Sequence, residues 1–139
     1  MVLEKINHIG IAVRSLDEAI PFYRNSLGMS LEGIEEVAEQ KVRVAFFQIG
    51  ESKIELLEPT GDDSPIAGFL VKNGPGIHHI AYEVEDIEAA IEKLVQDGAR
   101  MIDAVPRNGA HGARIAFIHP KSSNGVLTEL CRSGHRIRV

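Results

Sequence analysis

An internal repeat constrains this chain more than any other feature. Residues 6–13 read INHIGIAV and residues 77–84 read IHHIAYEV, so that His8 corresponds to His79. A helix-start residue follows each histidine at the same interval, Ser15 in the first copy and Asp86 in the second. Because both copies must form the same elements, the repeat predicts two copies of one supersecondary unit.

Both copies continue into an amphipathic helix. Glu18 stands three residues after Ser15, which is the spacing of a capping box. Gly28 and Gly98 follow the apolar stripes and are typical helix C-caps. The stripes have the spacing of one helix face and consist of Leu16, Ala19, Ile20, Tyr23 and Leu27 in the first copy and of Ile87, Ala90, Ile91, Leu94 and Val95 in the second.

Three short apolar or alternating runs follow each helix and are predicted to be strands. They are Met29–Val37, Lys41–Ile49 and Lys53–Glu58 in the first half, and Arg100–Val105, Ala113–His119 and Val126–Arg132 in the second. The predicted fold class is therefore α+β, with two tandem βαβββ modules at residues 1–60 and 76–139 in one compact domain. The linker at residues 61–75 contains a short helix that begins at Ser64-Pro65 and ends near Lys72.

The last strand of each half carries an equivalent glutamate. Ile54-Glu55-Leu56-Leu57 matches Thr128-Glu129-Leu130-Cys131, and each glutamate follows its histidine at a similar distance (55 − 8 = 47, and 129 − 79 = 50). The difference of three residues lies in loops, whose length costs little free energy. Glu55 and Glu129 are therefore predicted to occupy equivalent positions.

The four residues form a candidate metal site. Strand alternation places His8 on the face of Gly10 and Ala12, where small side chains leave room for a ligand. Two neutral imidazoles and two carboxylates balance a divalent ion. The N and O donors favour Co, Zn, Mn or Ni over Ca or Mg. We expect one such ion per chain, within a curved mixed sheet.

A structural role for these residues is the alternative reading. A single histidine in an apolar strand is more often structural than a ligand. The repeat favours the metal site over a structural role, because two glutamates in apolar strands are costly to bury without a partner and a shared ion would supply one. Edge strands that leave both glutamates in solvent remain the competing interpretation.

Composition restricts the classes of partner. The net charge of −5 gives no electrostatic reason to expect a nucleic-acid partner, and small molecules are the expected ligands. The chain shows no apolar run typical of a signal peptide or a membrane span, which favours a cytoplasmic protein without a membrane partner. Cys131 is the only cysteine, lies in an apolar run, and is expected to be buried and inert.

Several longer stretches resemble the methylmalonyl-CoA epimerase family of the vicinal oxygen chelate superfamily, and the resemblance covers almost the whole chain. The stretches are KIELLEP at 53–59, DSPIAGFL at 63–70, GIHHI at 76–80, GAHG at 109–112, HPK at 119–121 and GVLTEL at 125–130. The resemblance implies metal ligands at His8, Glu55, His79 and Glu129, where some epimerases have glutamine at the position of Glu55. It also implies an acyl-CoA substrate, whose α-proton is removed and returned through a metal-stabilised enolate.

The sequence indicates one of the two proton-transfer groups and leaves the second open. Glu129 is the first candidate, as both metal ligand and proton carrier. The strand-three position that is glutamate in some epimerases aligns with Val44 here. Glu39 and Gln40 lie nearby, but an amide cannot act as a base and Glu39 is a candidate for the solvent-exposed surface. Glu55 is the remaining candidate, and the sequence does not decide.

The other histidines and several basic residues lie outside the predicted metal site. His111 lies in a glycine-flanked loop and is a candidate substrate contact, with a plain turn residue as the alternative. His78 and His119 are interpreted as structural. Basic side chains could bind CoA phosphates, but none of them is assigned that role. The residues concerned are Arg107, Lys121, Arg132 and Arg136.

Three other functions share the predicted fold. A lactoylglutathione lyase has a similar His/Glu ligand set, although HPKSSNG at 119–125 differs from the hairpin frequent in those enzymes. If the chain were an extradiol dioxygenase, Glu55 would have no role as a ligand. Non-catalytic binding proteins of this fold often lack a full set of metal ligands. Because open sheet edges need cover, we expect a homodimer.

Overall fold

The computed structural model describes residues 1–134. Two compact units are formed, one by residues 8–78 and the other by residues 1–7 together with those from 79 onward. Among the described residues no helix has the length and apolarity needed to cross a membrane. The helices and strands are β1 (Leu3–Ala12), α1 (Leu16–Pro21), β2 (Ser30–Val37), β3 (Val42–Ile49), β4 (Ser52–Pro59), α2 (Pro65–Asn73), β5 (Gly76–Val84), α3 (Ile87–Gln96), β6 (Arg107–Asn108), β7 (Arg114–Ile118) and β8 (Thr128–Arg132).

The unit of residues 8–78 contains strands in the order β2-β3-β4-β1. β1 runs parallel to β4, while β3 is antiparallel to both β4 and β2. One face of these strands packs on α1. The apolar cluster there contains Val13, Leu16, Ile20, Ala45, Phe47 and Leu56. His8, Gly10, Ala12 and Glu55 project to the other face, because alternate residues of a strand point in opposite directions.

The second unit repeats this arrangement. Its strands follow the order β5-β8-β7-β6, with β5 parallel to β8 and the other neighbours antiparallel. Ile87, Ala90 and Ile91 of α3 pack on one face of these strands, against Val84, Ala116, Ile118 and Leu130. The opposite face carries a second apolar cluster of Ala81, Ala113, Ile115, Phe117 and Cys131. The buried Cys131 agrees with the prediction from sequence.

The helix starts read from the sequence are confirmed. The Ser15 side chain accepts a hydrogen bond from the Glu18 backbone N–H (3.3 Å), and Asp86 accepts one from Ala89 N–H (3.0 Å). Gly28 and Gly98 adopt positive φ angles of 73° and 90°, which glycine accommodates without a Cβ clash.

The first helix is shorter than its apolar stripe predicted. α1 ends at Pro21, and residues Phe22–Ser26 form a π-helical turn in which Leu27 N–H donates to Phe22 O (2.9 Å). Pro21 has no N–H for the regular hydrogen bond of the ladder, so the stripe continues through a wider turn.

The predicted strand at Arg100–Val105 is wrong. That segment forms only an isolated bridge between Met101 and Ile118, and the short strand β6 lies after it, between the two predicted strands Arg100–Val105 and Ala113–His119. The Asp103 carboxylate accepts a hydrogen bond from Phe117 N–H (2.9 Å), in the place of a backbone acceptor from a neighbouring strand. Side-chain competition of this kind is invisible to apolar periodicity.

The other predicted elements agree with the structure to within about two residues. The linker helix is confirmed as α2, with Pro65 in its first turn and the Ser64 side chain accepting from Ile66 N–H (3.2 Å).

Candidate functional site

The first half contributes a buried histidine and glutamate pair. The parallel register of β1 and β4 sets Gly10 opposite Glu55, and His8 lies two residues before Gly10 on the same face. His8 Nδ1 lies 3.2 Å from Glu55 Oε2, and the two residues are 5% and 7% exposed. Because Gly10 has no side chain, it leaves space beside this pair.

The second half contributes the equivalent pair from equivalent strands. Ala81 of β5 lies opposite Glu129 of β8, and His79 precedes Ala81 by two residues. His79 Nε2 lies 3.3 Å from Glu129 Oε1, and both residues are buried. The Phe117 ring packs edge-on against the His79 imidazole, with centroids 5.4 Å apart. The repeat read from the sequence therefore extends to a His/Glu contact in each half, made by Nδ1 of His8 in the first and by Nε2 of His79 in the second.

Each pair fits a divalent transition metal. Two ligand atoms about 2.0–2.2 Å from an ion, at an angle of about 90–110°, stand about 2.8–3.6 Å apart, and both observed pairs fall in that range. His8, His79 and Glu129 are buried and of the residue types that can hold a metal ion. A cation also offsets the cost of burying carboxylates. The burial of Glu55 and Glu129 contradicts the alternative in which both face solvent.

The strand-three region presents an apolar residue and, beside it, a carboxylate. Val44 of β3 is buried and pairs with Leu57 of β4, which places it on the face of Glu55. Glu35 of β2 lies directly opposite Val44 and is half-buried on this same face. Glu39, which the sequence offered as a nearby proton-transfer group, is exposed in a 3-10 turn. Sequence reasoning missed Glu35, because only the β2–β3 register brings it to this face.

The remaining histidines occupy varied places. His111 has positive φ (55°) in the 3-10 turn Ala110–Gly112, a conformation that is uncommon for residues with a side chain. His78 packs edge-on against Phe69 of α2, with centroids 5.1 Å apart, as expected of a structural residue. His119 Nδ1 accepts a hydrogen bond from Lys121 N–H (3.1 Å) in a turn. Arg136 lies outside the described residues.

A buried polar cluster that the sequence did not reveal lies in the second unit. The Glu83 carboxylate is 2% exposed and accepts hydrogen bonds from Asn7 Nδ2 (2.8 Å), Ser133 Oγ (2.6 Å) and Ser133 N–H (3.0 Å). These bonds join the amino-terminal residues to the ends of β5 and β8. Buried carboxylates need such donors, so the cluster has a structural explanation.

Comparison with known proteins identifies the family. The family model described as the Glyoxalase/Bleomycin resistance protein/Dioxygenase superfamily matches residues 7–117. The chain belongs to this superfamily. Within it, the chain is 47% identical over 131 residues to an ethylmalonyl-CoA/methylmalonyl-CoA epimerase of Cereibacter sphaeroides, and the match covers 93% of this chain and 98% of the relative.

Two further superfamily members extend the comparison. The mitochondrial methylmalonyl-CoA epimerase of Homo sapiens is 45% identical, with 92% of this chain and 73% of the relative covered. A solved structure of a Streptomyces coelicolor methylmalonyl-CoA epimerase variant in complex with 2-nitronate-propionyl-CoA matches with a TM-score of 0.95 and 41% identity. That match covers 99% of this chain and 100% of the other. The predicted superfamily fold is therefore confirmed.

Proposed function

We propose that the chain is a methylmalonyl-CoA epimerase, which interconverts (2R)- and (2S)-methylmalonyl-CoA. The observation that carries this proposal is the pair of buried, equivalent His/Glu contacts, His8 with Glu55 and His79 with Glu129. The sequence similarity to epimerases extends over more than nine-tenths of the chain. The reaction needs an acid or base at a carbon flanked by two carbonyl groups, and carboxylates of this kind suit that task.

The proposed ligands of one divalent ion per chain are His8, Glu55, His79 and Glu129. Two imidazole nitrogens and two carboxylates suit Co, Zn, Mn or Ni. When bound, the ion supplies Lewis-acid stabilisation of the negative charge that develops on the thioester oxygen. Within each half the neighbours of the His/Glu pair are buried, since Ala12, Ala81 and Phe46 are at most 1% exposed. Exclusion of water strengthens electrostatic interactions with the reacting group.

Glu129 is the proposed first proton carrier. Its carboxylate is 3% exposed and is held against His79, so its orientation is fixed before substrate binds. The return of the proton from the other side of the carbon needs a second group or a mobile base. We assign that role to Glu55, because this chain has a carboxylate there and an apolar Val44 on strand three. Glu35 is the competing carboxylate on the same face.

Isotope exchange tests the reaction directly. The protein, loaded with Co²⁺ or Zn²⁺, is incubated with (2R)-methylmalonyl-CoA in deuterated water. We expect deuterium at C2 and a racemic product without net loss of thioester. A parallel incubation with methylglyoxal and glutathione tests the lyase reaction. Thioester formation there, with no exchange in methylmalonyl-CoA, would replace the epimerase with the lyase, and activity in neither assay would favour a binding protein.

Three matched variants test the proton-transfer assignment. Glu129→Gln and Glu55→Gln keep an oxygen donor but remove the base, so each is expected to slow exchange about 10²- to 10⁴-fold per bound metal ion, with the metal content of each variant measured alongside. Glu35→Gln removes the same charge from the same face and is the control. If Glu35→Gln slows exchange strongly and Glu55→Gln does not, the second base is Glu35 and the Glu55 assignment is wrong.

We also propose that the protein forms a homodimer, that it lies in the cytoplasm, and that its substrate is an acyl-CoA. Open sheet edges favour association. A chain whose one cysteine, Cys131, is a buried thiol suits a reducing compartment. Sedimentation equilibrium measures the mass of the particle, and cell fractionation gives its location. A monomeric mass at micromolar protein concentration would contradict the homodimer.

A further inference from the structure

One arginine on the ligand-facing side of the second unit is held in place beside the His79 and Glu129 pair. Arg107 of β6 lies opposite Ile115 of β7, and residues directly opposite each other project to the same face. Ile115 and Phe117 belong to the apolar cluster on that face, and Phe117 lies opposite Glu129. Arg107 therefore shares a face with the second His/Glu pair.

Two contacts hold the Arg107 guanidinium over Phe117. Its Cζ atom lies 5.7 Å from the centroid of the Phe117 ring, which is within the range of a cation–π interaction. Its Nε atom lies 3.3 Å from Asp103 Oδ1, and Asp103 is itself anchored by the hydrogen bond from Phe117 N–H (2.9 Å). Phe117 also packs against His79, so one ring connects the cation to the proposed metal ligand.

The Arg107 guanidinium retains hydrogen-bonding capacity. The Nε contact with Asp103 is close enough for an ion pair but lacks hydrogen-bond geometry, and within the described residues this buried Nε has no hydrogen-bond partner. The side chain is 39% exposed, so a ligand can reach its outer nitrogens. A planar guanidinium with free donors matches a carboxylate or a phosphate.

We propose that Arg107 binds the acyl carboxylate of the substrate and so selects dicarboxylic acyl-CoA thioesters over neutral ones. The inference rests on the proposed function. An acyl carboxylate is favoured over a CoA phosphate because Arg107 is one aromatic ring away from His79. The phosphates of CoA, in contrast, lie at the far end of the pantetheine arm from the reacting carbon. Asp103 and Phe117 act as positioning residues that fix the guanidinium.

Binding measurements separate the two anionic groups. The dissociation constants of metal-loaded protein for methylmalonyl-CoA, propionyl-CoA and free CoA are measured by calorimetry, for wild type and Arg107→Gln. We expect Arg107→Gln to weaken methylmalonyl-CoA binding about 10- to 100-fold and to leave the other two within about twofold. Arg107→Lys keeps the charge without the planar fork and should lie between.

Arg114→Gln is the matched control. Arg114 lies on the neighbouring strand of the same hairpin, next to Ile115 and therefore on the opposite face, and its loss removes the same charge. Equal weakening of all three ligands by Arg107→Gln would identify a phosphate contact, and unchanged binding would identify a structural ion pair. Either result overturns the proposal. So does Arg114→Gln if it weakens methylmalonyl-CoA binding as much as Arg107→Gln does. Because the binding measurement does not depend on whether the substrate is epimerised, a failed exchange assay with intact carboxylate selectivity would reject the epimerase and retain Arg107.

Discussion

At the residue scale, buried polar side chains in this molecule have two different kinds of partner. Glu55 and Glu129 are each in contact with a histidine, as metal ligands would be. Asn7 and Glu83 are instead joined to Ser133 by hydrogen bonds within the second unit. Burial alone therefore does not identify a functional residue. The chemical type of the partner makes the distinction.

Asn7→Ala is expected to destabilise the protein by about 1–3 kcal/mol, because it removes a donor from a carboxylate that is 2% exposed. Urea denaturation of the wild type and the variant measures the change in the free energy of unfolding. Asn73→Ala is a matched control, since Asn73 donates only from an exposed side chain to Phe69 O (3.3 Å). Equal stability of Asn7→Ala and wild type would show that the cluster does not stabilise the fold.

At the element scale, connections contribute contacts of their own. The 3-10 turn Ala38–Gln40 ends at Lys41, which has a φ of 53° and forms an ion pair with Asp63 in the β4–α2 connection. This hydrogen-bonded Lys41 ammonium lowers the pKa of the Asp63 carboxyl below its usual value. The pair is exposed to solvent, so its effect on stability is small and falls with salt.

The lowered pKa fixes the sign of a pH effect. A carboxyl with a folded-state pKa below its unfolded value stabilises the folded chain above the unfolded pKa, and that stability is lost as the pH falls through the folded value. Asp63→Asn is therefore expected to be less stable than wild type at pH 7, with the difference shrinking between about pH 5 and pH 3. Urea titrations at several pH values measure it.

Asp62→Asn provides the control for this pH effect, because it removes the neighbouring negative charge without touching the Lys41–Asp63 pair. A pH dependence equal to that of Asp63→Asn would mean that net charge, and not the pair, is responsible. High salt should reduce the Asp63 effect.

At the scale of the whole molecule, the proposed ligands come from both halves of the repeat. A metal ion that binds only the folded chain stabilises it by mass action. The proposed ion would therefore link metal content to global stability, beyond its part in the reaction.

Chelation is expected to lower the Tm by about 5–10 °C, and Co²⁺ or Zn²⁺ should restore it. Metal analysis of protein purified without chelator should give about one transition-metal ion per chain. His8→Ala is expected to lower that content and to lose the Tm response to chelator. His119→Ala, a histidine held in a turn by Lys121 N–H, should keep both. Unchanged metal content in His8→Ala would reject the ligand assignment.

Local sequence patterns were enough to predict the repeat, the helix starts at Ser15 and Asp86, and the equivalence of Glu55 with Glu129. These follow from local periodicity and capping, which act over a few residues. The tertiary structure was needed to show the loss of the strand at Arg100–Val105 and the neighbours of Val44, Glu83 and Arg107. Each of these depends on strand register or on a hydrogen bond between residues distant in sequence, which no local pattern encodes.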